Sequence, residues 1–213
     1  LFSVLAGHTR YAHMTTVRTD KVNPSLLGIE KIVSDDSVRR GLNKIPKEEG
    51  RDWLIQELKN SYLEILGIPW ILDVDTTVKC LYGHQEGAVV GYNPKKPGRP
   101  SHTYHSYMIA NIRMILDVEV MAGNESSSSH TLPYLFSWLD GIPVEKRPHC
   151  IRGDCNFGTD AIMTACENRS QGYLFKLKQT PNVKRFISQS MVEDEWFHAG
   201  QGWEGTEGSI QLM

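Results

Sequence analysis

A chain of 213 residues has room for one large domain, or one domain with a small satellite. Its hydrophobic share of 40% excludes a disordered polyelectrolyte, and its formal net charge of −2 excludes a global basic field, so any nucleic-acid binding must rest on a local patch. Cys80, Cys150, Cys155 and Cys166 form no C-x-x-C pair and are too few for a disulfide scaffold, so they read as reduced thiols.

No apolar run approaches the ~18 residues of a membrane span, and no basic-then-apolar leader opens the sequence. The chain begins at Leu1 and breaks off in "EGSIQLM", a stretch with strand character. It reads as a piece of a longer protein.

The first third predicts helices. In "SDDSVRRGLNKI", Ser34, Asp35 and Asp36 supply N-cap chemistry ahead of a short periodic run. "RDWLIQELKNSYLEILG" sets Leu54, Leu58, Tyr62 and Leu66 four residues apart, one apolar stripe, and stops at Gly67. A strand starts at Trp70. Two further antiparallel strands are expected, beginning near Ala88 and Met108 around a basic loop. Then follow a capped helix in "SSSSHTLPYLFSWLDGI" and a strand in "HCIRGD" that ends at Asp154. A helix in "TDAIMTACENRSQ", a strand in "GYLFKLKQ" and a short helix in "NVKRFISQ" complete the series. Three strands in a meander, then alternating helix and strand, predict an α/β fold with one mixed sheet and helices on its faces.

Two acids stand out. In "WILDVDTTVKC", Asp73 and Asp75 sit at i and i+2 of a strand and so share a face, where like charges are costly unless something positive neutralises them. Asp154 also ends a predicted strand, and the carboxyl ends of strands in α/β sheets are where sites are built. Two aspartates from neighbouring strand ends make half of a hard-oxygen site for magnesium or manganese. The plainer alternative is that Asp75 caps a turn and Asp154 caps the loop before the helix at Thr159.

Two families of phosphoryl chemistry compete for these acids. "DVDTT" satisfies the D-x-D-x-T pattern of haloacid-dehalogenase-type phosphatases, which follow it with a loop and a helix; here a hairpin is expected instead. The stretches "LDVDTT", "YGHQEGAVVGYNPKKPGRPSHTYH", "VMAGNESSS", "IRGDCNFG" and "GYLFKLK" together resemble bacterial insertion-sequence DDE transposases, in family order from about residue 70 to 178. "LAGHTRY…LLGIEKIVSDDSVRR" is similar to the helical lead-in of that family.

The resemblance implies a ribonuclease-H-like catalytic core over 69–190, after a helical region over 1–68 and before a truncated β-rich insertion over 191–213. It implies Asp75 and Asp154 as catalytic acids and ligands of two Mg2+ (or Mn2+) ions about 4 Å apart, with Asp73 in a supporting position. The activity implied is DNA strand cleavage and strand transfer by in-line displacement at phosphorus, on element ends and target DNA, by a homodimer in a bacterial cytoplasm at the nucleoid. The family's third acid, a glutamate on a late helix, is expected beyond residue 213. Glu193, Glu195, Glu204 and Glu207 read as solvated loop and strand acids. A truncated remnant that binds DNA without cutting it is the non-enzymatic alternative.

Lys95, Lys96, Arg99, His102 and His105, with Tyr92 and Tyr104 interleaved and prolines 94, 97 and 100 stiffening the stretch, form a basic loop suited to phosphate contacts. A solvated hairpin tip is the alternative. Lys176 and Lys178 alternate on a strand, a pattern that serves equally to protect a sheet edge. Lys184 and Arg185 add charge nearby, and His84 reads as a turn histidine or a ligand.

Overall fold

The structure is a computed structural model that describes residues 2–67, 69–93, 95–125, 127–193 and 196–211. Contacts divide the chain into two units, Leu1–Glu57 and Leu58–Met213. The first is helical: α1 (Phe2–Leu5), a 3-10 turn (Tyr11–His13), α2 (Met14–Thr19), α3 (Val22–Leu26), α4 (Asp35–Leu42) and the opening of α5 (Lys47–Tyr62). Ser34 caps α4 as expected, its Oγ accepting from the Ser37 N–H at 3.2 Å. Asp36 pairs with Arg39 one turn on, at 2.5 Å. Val17 and Ile32 are the buried apolar side chains here.

The second unit is built on a six-stranded mixed sheet. In chain order come β1 (Ile71–Cys80), β2 (Val89–Val90), β3 (Pro100–Ile109), β4 (Met114–Ala122), α6 (Ser127–Asp140), β5 (Cys150–Gly158), α7 (Asp160–Glu167), β6 (Tyr173–Leu177) and α8 (Pro181–Glu193). β3 pairs antiparallel with β1 on one side and with β4 and the short β2 on the other; β5 lies parallel to β1, and β6 parallel to β5. A separate hairpin, β7 (Phe197–Gly200) and β8 (Trp203–Gly205), follows.

Three expectations change. The strand expected from Ala88 shrinks to Val89–Val90, and the meander is completed instead by Pro100–Ile109 and Met114–Ala122. Gly87 and Gly98 turn the chain with left-handed φ of 72° and 76° on either side of this short strand, and the described residues between β1 and β3 form a long excursion rather than a hairpin arm. β5 does not stop at Asp154 but runs to Gly158. α8 is also longer than the short helix expected.

The core forms on one face of the sheet. Alternation along β1 turns Leu72 and Val74 inward, and the register brings Tyr107, Ile109 and Ile151 beside them. Leu135 and Leu139 of α6, Ile162 and Cys166 of α7, and Tyr62 and Leu66 of the apolar stripe pack onto that face. Leu135 and Leu139 are fully buried, and each contributes about 1.5–3 kcal/mol by leaving water. On the other face, Ile115, Val118 and Val120 of β4 remain roughly half exposed, so helical cover is incomplete there.

Candidate active site

The two acids of interest are set by one register. Leu72 pairs with Ile151, Asp73 with Arg152 and Val74 with Gly153; the next residues in line are Asp75 and Asp154. Both point to the solvent face, opposite the core. Pairing of β1 with β5 ends at Val74 and Gly153, so Asp75 and Asp154 are the first residues of each strand past the last paired position. Gly153 permits that last pairing: a Cβ there would meet the Phe157 ring at 2.9 Å and the Val74 Cγ2 at 3.0 Å.

The crowding of Asp73 and Asp75 is relieved by a residue the sequence reading passed over. Arg152, one strand across, donates from Nε and an Nη to both oxygens of Asp73, each at 2.7 Å. This fork-to-fork pair neutralises Asp73 and leaves Asp75 and Asp154 as the exposed acids of the quartet. Asp75 Oδ2 accepts from the Thr77 hydroxyl at 3.3 Å. Asp154 accepts from the Asn156 backbone N–H at 2.9 Å and from its side-chain amide at 3.4 Å.

As donors, two carboxylates fit a divalent cation of the hard, oxygen-seeking kind. Among the described residues no group of three His, Cys, Asp or Glu side chains is arranged to hold a metal ion. Glu195 lies outside the described residues; Glu204 lies exposed on β8, in the separate hairpin.

The basic stretch is distributed. Lys95 lines a cavity whose wall includes Thr77 and Asn156, the neighbours of the two acids. Lys96 and Arg99 both lie over the Tyr82 ring, at 4.9 and 5.0 Å from its centroid. His102 shares the outward face of β3 with Ser106, the partner of Asp75, and its Nε2 donates to the Glu86 carbonyl at 2.8 Å. Pro94 lies outside the described residues. Buried Asn93 anchors the loop, donating to the Cys80 thiol sulfur at 2.8 Å and accepting from the Lys96 N–H at 3.1 Å. His84 sits exposed between a bend and a turn, and Lys176 lies on β6, the sheet edge.

A profile described as transposase DDE domain group 1 matches residues 1–203. The chain belongs to that family. No curated protein matches it. Among solved structures, this transposase-family chain is similar to a chain of the simian T-cell lymphotropic virus intasome in complex with PP2A regulatory subunit B56 gamma. There the identity is 13% and the TM-score 0.33, over 59% of this chain and 38% of that one. The HTLV-2 integrase catalytic core domain in complex with magnesium gives 15% identity and a TM-score of 0.32, over 59% of this chain and 74% of that one. The catalytic core domain of BIV integrase gives 9% and 0.33, over 57% and 64%. The chain thus spans well under two thirds of the first of these.

One member of the basic stretch belongs elsewhere. His105 is 2% exposed, on the core face of β3, and cannot reach DNA. Its Nδ1 lies 3.2 Å from the Thr76 hydroxyl, and its ring lies 4.4 Å from that of His130 on α6. His130 donates from Nε2 to buried Glu119 at 2.5 Å, and Tyr134 donates to Asp117 on the same strand. Burial, and secondarily the neighbouring His130, hold the His105 imidazole down at about 4. The inward parity of Ser101, Thr103, His105, Tyr107 and Ile109 was the available signal, but hydroxyls and a histidine conceal the alternation.

The sheet runs as an antiparallel meander and then two parallel strands, with acids on the first and fourth long strands. Among the described residues no helix is long and apolar enough to cross a membrane.

Proposed function

We propose that this chain carries the first two metal-binding acids of a DNA transposase, Asp75 and Asp154, and that the longer protein cuts and joins DNA strands at phosphorus. The observation that supports this most is the β1–β5 register, which brings two acids distant in sequence to adjacent, outward positions. Asp75 and Asp154 would hold Mg2+ or Mn2+, with a third acid from beyond residue 213 completing the set. A bound divalent ion supplies Lewis-acid activation of the phosphodiester and of the attacking oxygen.

The chain's own residues do the positioning. Arg152 removes the charge of Asp73 from the site, Asn156 fixes the rotamer of Asp154, and the Thr77 hydroxyl steadies Asp75. Lys95, Lys96, Arg99 and His102 would contact duplex phosphates, with a homodimer bringing element ends and target DNA together. The setting is the bacterial cytoplasm.

The phosphatase reading loses support on two counts. β1 continues to Cys80 with no helix following the D-x-D-x-T stretch, and both oxygens of Asp73 are taken by Arg152. A remnant that only binds DNA is separated from an active enzyme by assay. Asp75→Asn or Asp154→Asn in the longer protein should abolish magnesium-dependent strand cleavage while leaving DNA binding intact; cleavage that survives both substitutions refutes the assignment. Replacing Lys95, Lys96 and Arg99 together with Ala should flatten the log–log salt dependence of binding by roughly two to three. An unchanged slope makes that loop ordinary solvated surface.

A further inference from the structure

Beyond Val74 and Gly153, β1 and β5 part company. Their pairing ends there, after which β1 stays with β3 as far as Cys80 and Ser101, while β5 bends toward β6, where Gly158 meets Leu177. Beside this divergence lies a cavity of about 470 Å³, lined by β1, β3, the stretch around Tyr92, the turn after β4 and Asn156 of β5, within the roughly 300–1,000 Å³ typical of small-ligand sites. It lies off the carboxyl ends of two parallel strands, the usual location for a ligand in an open α/β sheet.

The walls are closely fitted. A Cβ on Gly91 would fall 1.8 Å from the Gly123 carbonyl oxygen, and one on Gly123 would fall 2.3 Å from the Ser101 hydroxyl. Only paired glycines let the excursion after β2 lie against the turn after β4, and that contact seats Tyr92 and Lys95 opposite Asn124. Asn93, nine-tenths buried and bonded to Cys80, holds the same wall.

We infer that this cleft holds one unpaired nucleotide of the processed strand, a subsite that rests on the transposase reading. Tyr92 lines the cleft while being 81% exposed, which leaves a ring face open for a base to stack on. The side-chain amides of Asn124 and Asn156 offer both donors and acceptors, as the edge of a base requires. Lys95 supplies a cation for the phosphate. Because Asn156 lines the cleft and also bonds Asp154, the nucleotide's phosphate is delivered beside the acids.

The test uses this chain in calcium, with DNA duplexes that are blunt or carry a short single-stranded overhang containing 2-aminopurine. The overhang should bind more tightly than the blunt end, with a change in 2-aminopurine emission on binding. Tyr92→Ala should erase that change and weaken overhang binding by about 5- to 100-fold, in line with one stacked base. Tyr92→Phe should retain both, and Asn124→Ala should reduce the preference without altering blunt-duplex affinity. Equal affinity for both ends, or an emission change that survives Tyr92→Ala, overturns the subsite. Asp75→Asn leaves docking intact in this chain; in the longer protein with magnesium, lost cleavage with retained docking bears on the acids, and lost docking with retained cleavage bears on the cleft.

Discussion

The two faces of the mixed sheet both carry polar residues at a two-residue spacing and stabilise them by different physics. On the outer face, Asp73, Asp75, Arg152 and Asp154 remain in contact with water; one ion pair is closed and two acids are left open. On the inner face, His105, Glu119 and Asp117 are removed from water: His130 and Tyr134 of α6 bond the two acids and half-buried Thr76 bonds His105 Nδ1, while His105 Nε2 is left without a partner among the described residues. An open carboxylate in water costs little and stays available to a cation, whereas an open carboxylate in the core costs several kcal/mol. The outer face is therefore suited to chemistry and the inner one to fixing α6 against β4. Substitutions on one face should affect activity, and substitutions on the other should affect stability.

The largest effect is expected from the outer face. Asp75→Asn or Asp154→Asn should lower strand cleavage by the longer protein on the order of 10³–10⁴-fold, the equivalent of several kcal/mol of transition-state stabilisation. Thermal unfolding of the same variants should show unchanged or slightly raised stability, since one of two adjacent like charges is gone. A large loss of stability would erase the contrast between the faces.

Next comes the inner face. Glu119→Ala strands the His130 imidazole without its carboxylate and should cost about 3 kcal/mol in denaturant unfolding. DNA binding by the folded fraction should be unaffected.

The third prediction concerns pH. His105 titrates at about 4 in the folded chain, against about 6.5 when unfolded. Below pH 6.5 the unfolded state therefore takes up a proton that the folded state refuses. The stability conferred by the neutral ring is fully present above pH 6.5 and is lost as pH falls toward 4, by roughly 2–3 kcal/mol at 1.36 kcal/mol per unit. His105→Asn should remove this slope from urea unfolding measured between pH 7 and 4; an unaltered slope would place the acid sensitivity elsewhere.

The smallest effect sharpens the outer face. Asn156→Ala leaves Asp154 its backbone partner but removes the side-chain amide, and should weaken manganese activation of cleavage by about 10- to 100-fold, as lost support for a metal ligand usually does. An effect equal to that of Asp154→Asn would make Asn156 a ligand in its own right.

Much of this was legible in the sequence, for local reasons. Strand alternation put Asp73 and Asp75 on one face before any register was known, the Ser34 cap follows local N-cap chemistry, and the strand–helix order fixes a mixed sheet. The stripe of Leu54, Leu58, Tyr62 and Leu66, expected to run to Gly67, holds only in part: α5 ends at Tyr62, Leu54 stays half exposed, and Leu66 is buried from the turn that follows. What failed to show was non-local. Whether 88–99 pairs depends on glycine dihedrals that only the folded excursion imposes, so the basic stretch looked like a hairpin tip. His105 looked like one more cation beside His102, although one residue of parity on β3 sends it to the opposite face. Arg152 became the partner of Asp73 only through the parallel register of β5 on β1, because pairing between strands so far apart in sequence is decided by how apolar faces stack and not by either strand alone. The sequence thus determined which residues could carry charge on each strand. The tertiary structure decided which of those charges meet, since only packing sets the register that closes Asp73 onto Arg152 and leaves Asp75 and Asp154 next in line after the last paired residues.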